Sequence, residues 1–359
     1  MPRRKSVTLQ HLAEELGLTI QTVSKALRGH SGMSEETRQL ILQTASRLGY
    51  RTKEQLRQLE SDRISPYPLY QRRFLLVLSE QSVAFNRLLL QGLHERFAEF
   101  GHRIDTLLLP AKLKAADYEE WLEEHGVLYC DGIFIAPRIT PDQMEERLLA
   151  LPLPRILLNF PPPGAKVDSV VWDVYEAMYL AVRELVKAGH RNILYCGDIL
   201  SQRGYVLRWQ AFQEAMKEHR LTVKKEEHAV HVRGAGSPWL EQFERQWLKR
   251  RPTAVICGID EEVAPVYYRI QAFAKVPDEC SLIGFVNEQS DCLPLLDRPA
   301  LLIRETGYRA ADRMLWRIAN PQRPYEHIRI QGEYVTGNTV IRKPSSEIRN
   351  KLSENHHIS

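Results

Sequence analysis

Ile20, Gln21 and Lys25 lie on the outer face of a short helical stretch, toward its N-terminal end. An amide, an ammonium and an aliphatic group displayed there suit a helix that enters the DNA major groove. Such a face needs a scaffold, and the flanking residues supply one. Thr8 caps a first helix whose Leu9, Leu12, Ala13 and Leu16 recur at i, i+3, i+4 and i+7, forming one apolar stripe. Gly17 permits the left-handed backbone that ends this helix. Thr19 caps the second helix, which turns Val23, Ala26 and Leu27 inward. Ser34 caps a third, with Glu35 and Glu36 at the favourable end of its dipole; Leu40, Ile41, Ala45 and Leu48 form its expected buried stripe and Gly49 its stop. Two helices joined at a glycine turn, with a third behind them, form a helix–turn–helix.

Charge agrees with a nucleic-acid partner. Residues 1–60 carry ten Lys/Arg and six Asp/Glu, so the whole formal excess of +4 lies there. The 39 bases of the remainder balance its 39 acids. A phosphate-binding module needs that asymmetry. Catalytic signatures are missing: there is no P-loop, G-x-S-x-G, H-E-x-x-H or G-x-G-x-x-G. Gly234-Ala235-Gly236 reads as a turn, and His356-His357 belongs to a polar tail. His102 and His190 each follow a helix-ending glycine, a structural position. No catalytic residue, metal site or cofactor is expected. Cys130, Cys196, Cys257, Cys280 and Cys292 are scattered and odd in number, and read as buried thiols in a reducing compartment. With no secretory signal or membrane-length apolar run, the expected location is the cytoplasm.

The segment from Val7 to Leu59, with its Thr-Val-Ser-Lys-Ala-Leu motif at Thr22 to Leu27, resembles the headpiece of the LacI/GalR family of bacterial transcription regulators. The resemblance implies that Ile20, Gln21 and Lys25 touch base edges, with donor and acceptor sets allowing Gln21 to pair with adenine and Lys25 with guanine. It implies that Thr8, Thr19, Thr22, Ser24, Ser34, Thr37 and Tyr50 hold phosphates, and Leu9 and Arg28 join this DNA-facing set. Tyr50 through Leu59 aligns with the family's hinge helix, in which Leu59, with Leu56 beside it, would wedge into the minor groove and bend the duplex. An alternative is that Leu56 and Leu59 only pack hinge against hinge. Thr52, Lys53 and Leu56 stand where the family pattern has proline, asparagine and alanine.

Beyond residue 60 the grammar changes. Residues 61–72 lose periodicity and carry Pro66 and Pro68, as a linker does. Apolar runs at 74–78, 104–109, 133–135, 156–158, 193–196, 254–257 and 282–285 then alternate with helical stripes. One stripe is Phe85, Leu88, Leu89, Gly92, Leu93 and Phe97; another is Met178, Ala181, Val182, Leu185 and Val186. This alternation predicts an α/β core of parallel sheets in two sub-domains with a cleft between them. Asp131-Gly132-Ile133, the run Ala188 to Ile193 and the stretch Gly284-Phe285 extend the family resemblance, implying a core similar to periplasmic sugar-binding proteins.

The expected organisation is a helix–turn–helix headpiece with hinge (1–60), a linker (61–72), an effector-binding and dimerisation core (73–345) and a polar tail (346–359). Carried over from the family, Arg208 would grip ligand hydroxyls and Asp260 would sit at a strand end of the cleft. Phe85 and Asn86 occupy the first strand–helix loop, where parallel sheets meet ligands, and Asn287 completes the effector set. Val286 replaces a sugar-binding aspartate, Ile259 a common asparagine, and Asp297-Arg298 a threonine pair. Either the ligand is not a typical monosaccharide, or the pocket is vestigial and a protein corepressor takes over. The implied function is a DNA-binding transcription regulator, a homodimeric repressor on a near-palindromic operator, controlled by a small molecule such as a carbohydrate or derivative, with no membrane partner. The rival readings are a small-molecule binder with a degenerate DNA module and a sugar-active enzyme on the same core.

Overall fold

A computed structural model describes residues 7–28, 32–48, 50, 71–79, 86–111, 113–139, 142–231 and 239–342. The hinge residues Leu56 and Leu59, linker residues 61–70, Phe85, Gly49, the Gly234-Ala235-Gly236 turn and the tail lie outside the described residues. The headpiece and the core form separate compact units.

The headpiece holds α1 (Leu9–Leu16), α2 (Ile20–Leu27) and α3 (Glu35–Leu48). Leu12, Ala13, Val23, Ala26, Ile41 and Ala45 make its core, and Leu9, Leu16, Leu27, Leu48 and Tyr50 pack partly buried against it. Gly17 adopts φ 61°, the left-handed cap expected. Leu40 departs from expectation: it is 53% exposed. Ile41, Ala45 and Leu48 share one line at i, i+4 and i+7, and Leu40 lies about 100° round the helix from Ile41, so it misses the core. The buried Thr44 takes a place on the inner face instead.

Among the described residues the core contains two parallel sheets and a two-stranded antiparallel one. The first has six parallel strands: β1 (Arg73–Ser79), β2 (Arg103–Leu109), β3 (Gly132–Ile135), β4 (Arg155–Leu157), β5 (Asp168–Trp172) and β11 (His327–Ile330). Their order is β11-β5-β4-β3-β1-β2. The second is parallel too: β6 (Ile193–Asp198), β7 (Ala229–His231), β8 (Ala254–Cys257) and β9 (Ser281–Gly284), in the order β7-β6-β8-β9. Near-continuous apolar runs such as Phe74-Leu75-Leu76-Val77-Leu78 bury both faces, as helix-covered parallel strands must. Helices α4 (Arg87–Glu99), α5 (Tyr118–Glu124) and α6 (Asp142–Ala150) belong to the first sub-domain. The second has α7 (Val174–Lys187), α8 (Arg203–Glu218), α9 (Trp239–Arg250) and α10 (Asp260–Gln271).

The chain crosses between sub-domains three times. It leaves by β5, returns through β10 (Arg298–Pro299) to α11 (Ile303–Ala319), and leaves again after β11 toward β12 (Tyr334–Val335), which pairs with β10. Gly92 and Gly307 let α4 and α11 touch: a Cβ on Gly92 would meet the Arg304 carbonyl at 1.9 Å, and one on Gly307 the Leu89 carbonyl at 2.2 Å. Asp168, fully buried at the start of β5, gathers the three first-sub-domain elements that flank these crossings. It accepts bonds from Arg313 Nε at 2.9 Å, from Arg317, and from the Glu326 N–H at 2.9 Å.

Four of the five cysteines are buried thiols, whereas Cys292 is exposed in a loop after β9, so that part of the sequence reading is corrected. His102 and His190 are structural as expected. The His102 Nδ1 accepts the Arg72 N–H, and the His190 ring is bonded to Thr253, Ser281 and the Ile341 carbonyl.

Removing one partner of a buried ion cluster leaves charges without compensation. Asp168→Ala should therefore lower core stability by about 3–5 kcal/mol in urea unfolding. Asp105→Ala, which breaks an ion pair with Arg73 whose side chains are 42% and 54% exposed, should cost below about 1 kcal/mol. Equal losses would show that Asp168 is not the anchor.

Candidate functional site

The headpiece turns one polar face outward. At about 100° per residue, Ile20, Ser24, Arg28, Gln21 and Lys25 fall on a single face of α2, opposite Val23 and Ala26. Ile20 is 48% exposed, and Gln21, Lys25 and Arg28 are exposed. Ser24 is half-buried. Lys25 also lies in the last turn of α2, where a cation complements the helix dipole.

Three hydroxyls cap the three helices. Thr8 Oγ1 accepts the His11 N–H at 3.3 Å while the His11 ring receives the Thr8 N–H, a reciprocal capping box. Thr19 Oγ1 accepts the Thr22 N–H at 3.2 Å, and Ser34 Oγ the Thr37 N–H at 3.2 Å. The remaining amide donors of each first turn stay available to an anion, as helix N-termini generally offer. Leu9 and Tyr50 pack on the headpiece core rather than standing free.

In the core, a cleft opens between the two sheets at the carboxyl ends of their strands, where parallel sheets take ligands. It is narrow and open to solvent on one side. The first sub-domain contributes Arg138, Leu158, Asn159, Phe160 and Trp172. The second contributes Gln202, Tyr205, Arg208, Asp260 and Asn287. The structure thus brings together Arg208, Asp260 and Asn287 of the expected set. Asn86 is buried at the N-terminus of α4 and does not line this cleft.

Arg208 is only 6% exposed, on the inner face of α8. It donates to the Gly258 carbonyl and lies with its Cζ 5.3 Å from the Tyr205 ring centre and 5.1 Å from that of Phe285. Burial pushes its pKa down from the usual guanidinium value. Asp260 opens α10 and accepts two bonds from Asn287, from its backbone N–H at 3.0 Å and its Nδ2 at 2.8 Å. Burial pushes the Asp260 carboxyl up, against the lowering pull of those bonds.

Sequence reasoning missed Arg138. It follows β3 with φ 64°, a left-handed conformation unusual outside glycine, so the turn is held by its surroundings. That turn sends the side chain across the cleft to the Tyr205 hydroxyl and to Glu261 Oε1 at 3.0 Å. A second bridge joins Arg203 Nη2 to both Glu145 oxygens, at 2.7 and 2.8 Å, and a third joins Arg87 to Glu288. The position of Arg138 just past a strand's carboxyl end was the available signal.

The substitutions at family positions also find their reasons. Val286 is 4% exposed within the apolar core of the second sub-domain, and Ile259 is fully buried. Asp297 accepts the Thr339 N–H at 2.9 Å and the Val340 N–H at 3.0 Å, fastening the last crossing. Neither Val286, Ile259 nor Asp297 lines the cleft.

A three-helix headpiece joined to a two-sheet cleft defines a helix–turn–helix protein with a ligand-binding core of the periplasmic-binding-protein type. Residues 8–53 match the model for bacterial regulatory proteins of the lacI family, and residues 182–340 that for the periplasmic binding protein-like domain. The chain is 26% identical over 301 residues to catabolite control protein A of Priestia megaterium, covering 82% of this chain and 86% of that protein. The fold matches that of the transcriptional regulator CelR–cellobiose complex with TM-score 0.61 and 19% identity, over 93% of this chain and 99% of the other. It also matches the lac repressor dimer bound to operator and the anti-inducer ONPF, with TM-score 0.60 and 18% identity, over 94% and 100%. The chain thus pairs a DNA-binding domain of the lacI type with a periplasmic-binding-protein-like domain, and is a DNA-binding transcription regulator. No helix among the described residues is long and apolar enough to cross a membrane.

Behind Arg208, His228 sits edge-on to Trp209 and Phe212 and accepts the Tyr195 N–H at 3.1 Å. Burial, with help from Arg250, drops its pKa to about 3. The folded protein keeps this ring neutral, whereas the unfolded chain protonates it below about pH 6.5. Stability from this group is therefore whole above that pH and declines as pH falls toward 3. Relative to His228→Asn, which keeps an acceptor, the wild type should lose about 1–2 kcal/mol between pH 7 and pH 5 in urea melts. Parallel pH profiles would show that His228 is not held neutral.

Proposed function

We propose that this regulator is a cytoplasmic homodimeric repressor without enzymatic activity, each headpiece reading half of a near-palindromic operator. Ile20, Gln21 and Lys25 meet base edges; Thr8, Thr19, Thr22, Ser24, Arg28, Ser34, Thr37 and Tyr50 position the headpiece on phosphates. The observation carrying this reading is the exposed face of α2, whose opposite face is the headpiece core. Two solved proteins of this fold, a lac repressor dimer bound to operator and a regulator in complex with cellobiose, support the same arrangement. Leu56 and Leu59 are proposed to contact the minor groove at the dimer centre.

The cleft is proposed as the effector site, with Arg208 as the ligand-gripping cation, Asp260 and Asn287 as a pre-bonded pair, and Arg138 added from the structure. A ligand that binds one relative position of the sub-domains better than another shifts operator affinity by that difference. The expected domain boundaries at 60, 72 and 345 are part of the proposal.

In operator titrations, Gln21→Ala should cost about 1–3 kcal/mol and relax the choice at one base pair. Arg28→Ala should weaken binding to all DNA and reduce the salt slope by about one. A uniform loss for Gln21→Ala on specific and random DNA would remove it from base reading.

A further inference from the structure

The polar lining of the cleft consists largely of donors. Arg138 and Arg208 can only donate. Asn159 uses its Oδ1 on the Phe160 N–H at 2.8 Å, which leaves its amide NH2. Asp260 is the one carboxylate among the described lining residues, and Asn287 already bonds each of its oxygens. The neutral side-chain acceptors of the lining are Gln202, Tyr205 and the Asn287 Oδ1, so its formal charge is two cations against one carboxylate.

The charges point the same way. Arg138 has Glu261 as partner, but Arg208 has no carboxylate within ion-pair distance among the described residues. Its Nε is buried without a hydrogen-bond partner. Both guanidiniums flank the Tyr205 ring, with Cζ atoms 5.6 and 5.3 Å from its centre. Asp260 acts on both guanidiniums only from beyond ion-pair distance, and two like charges side by side stay costly unless a further anion joins them. Arginine pairs are suited to that task because their planar forks match carboxylate and phosphate oxygens. Phe160 and Trp172 supply flat apolar walls beside them.

We propose that the effector is an organic anion, a small ring-bearing molecule whose carboxylate or phosphate oxygens sit between Arg138 and Arg208. The proposal rests on the reading of the cleft as the effector site. Arg208 is the primary ligand for the oxyanion, and Arg138 links it to closure, because the same side chain bridges the two sub-domains.

The test follows thermal unfolding of the full chain at constant ionic strength. The probes are inorganic phosphate, D-glucuronate and glucose 6-phosphate, with D-glucose and cellobiose as neutral controls. At least one anion should raise Tm saturably, and its affinity should fall by about tenfold or more in Arg208→Gln and in Arg138→Gln. A stronger response to glucuronate identifies a carboxylate effector, and a stronger response to glucose 6-phosphate a phosphorylated one. The proposal is overturned if no anion gives a saturable shift, or if the shift is the same in both variants. If cellobiose or glucose binds instead and Arg208→Gln abolishes that binding, the cleft stands as the effector site and only the anion is lost. If no probe's response depends on either arginine, the effector-site reading falls with it.

Discussion

One buried carboxylate holds the core together. Asp168 joins the start of β5, the second half of α11 and the start of β11, the three first-sub-domain elements that flank the crossings. Arg313 extends the cluster to Glu326, so two cations face two acids. At the other end, Asp297 ties the β10 passage to Thr339 and Val340. Between these two knots the crossing segments run unbraced by either sheet. The three crossings are the covalent links between the sub-domains, and Trp172, Val174 and Asn287 place the cleft beside them.

That constraint gives the ion pairs across the cleft their meaning. Arg138–Glu261, Arg203–Glu145 and Arg87–Glu288 each join one sub-domain to the other. Exposed pairs of this kind are individually weak, and Arg87 and Glu288 are more than half exposed. The Arg203–Glu145 pair is the more sheltered, with Glu145 only 8% exposed and both oxygens engaged. Together they hold the two sub-domains in the arrangement described, and a ligand shifts that arrangement only by binding another one better.

Much of this was legible in the sequence because the controlling physics is local. Thr8, Thr19, Ser34 and Gly17 act within their own helix ends, and the α2 face follows from periodicity alone. The central apolar strands read correctly because both faces are buried, as in β1, β3, β6, β8 and β9, and the edge strand β2 through its apolar Leu107-Leu108-Leu109 run. Strand β5 was not seen: it begins Asp168-Ser169, polar residues whose burial makes sense only beside arginines some 145 positions away. Strand β11, His-Ile-Arg-Ile, is a half-exposed edge with no apolar run. Leu40 lies outside the core because the α3 stripe runs through Ile41, Ala45 and Leu48, and Leu40 sits about 100° round the helix from Ile41. Arg208 and Asp260 were found through family resemblance, whereas Arg138 needed the backbone turn that aims it, which no residue type announces.

The central claim is that the α2 face, presented by a dimer, reads a specific two-fold site in DNA. Selection of bound sequences from a random duplex pool by the purified full chain tests this most directly. The account predicts enrichment of an inverted repeat with one preferred half-site spacing. Recovery of no enriched sequence by the folded protein, or of a motif without two-fold symmetry, would contradict it.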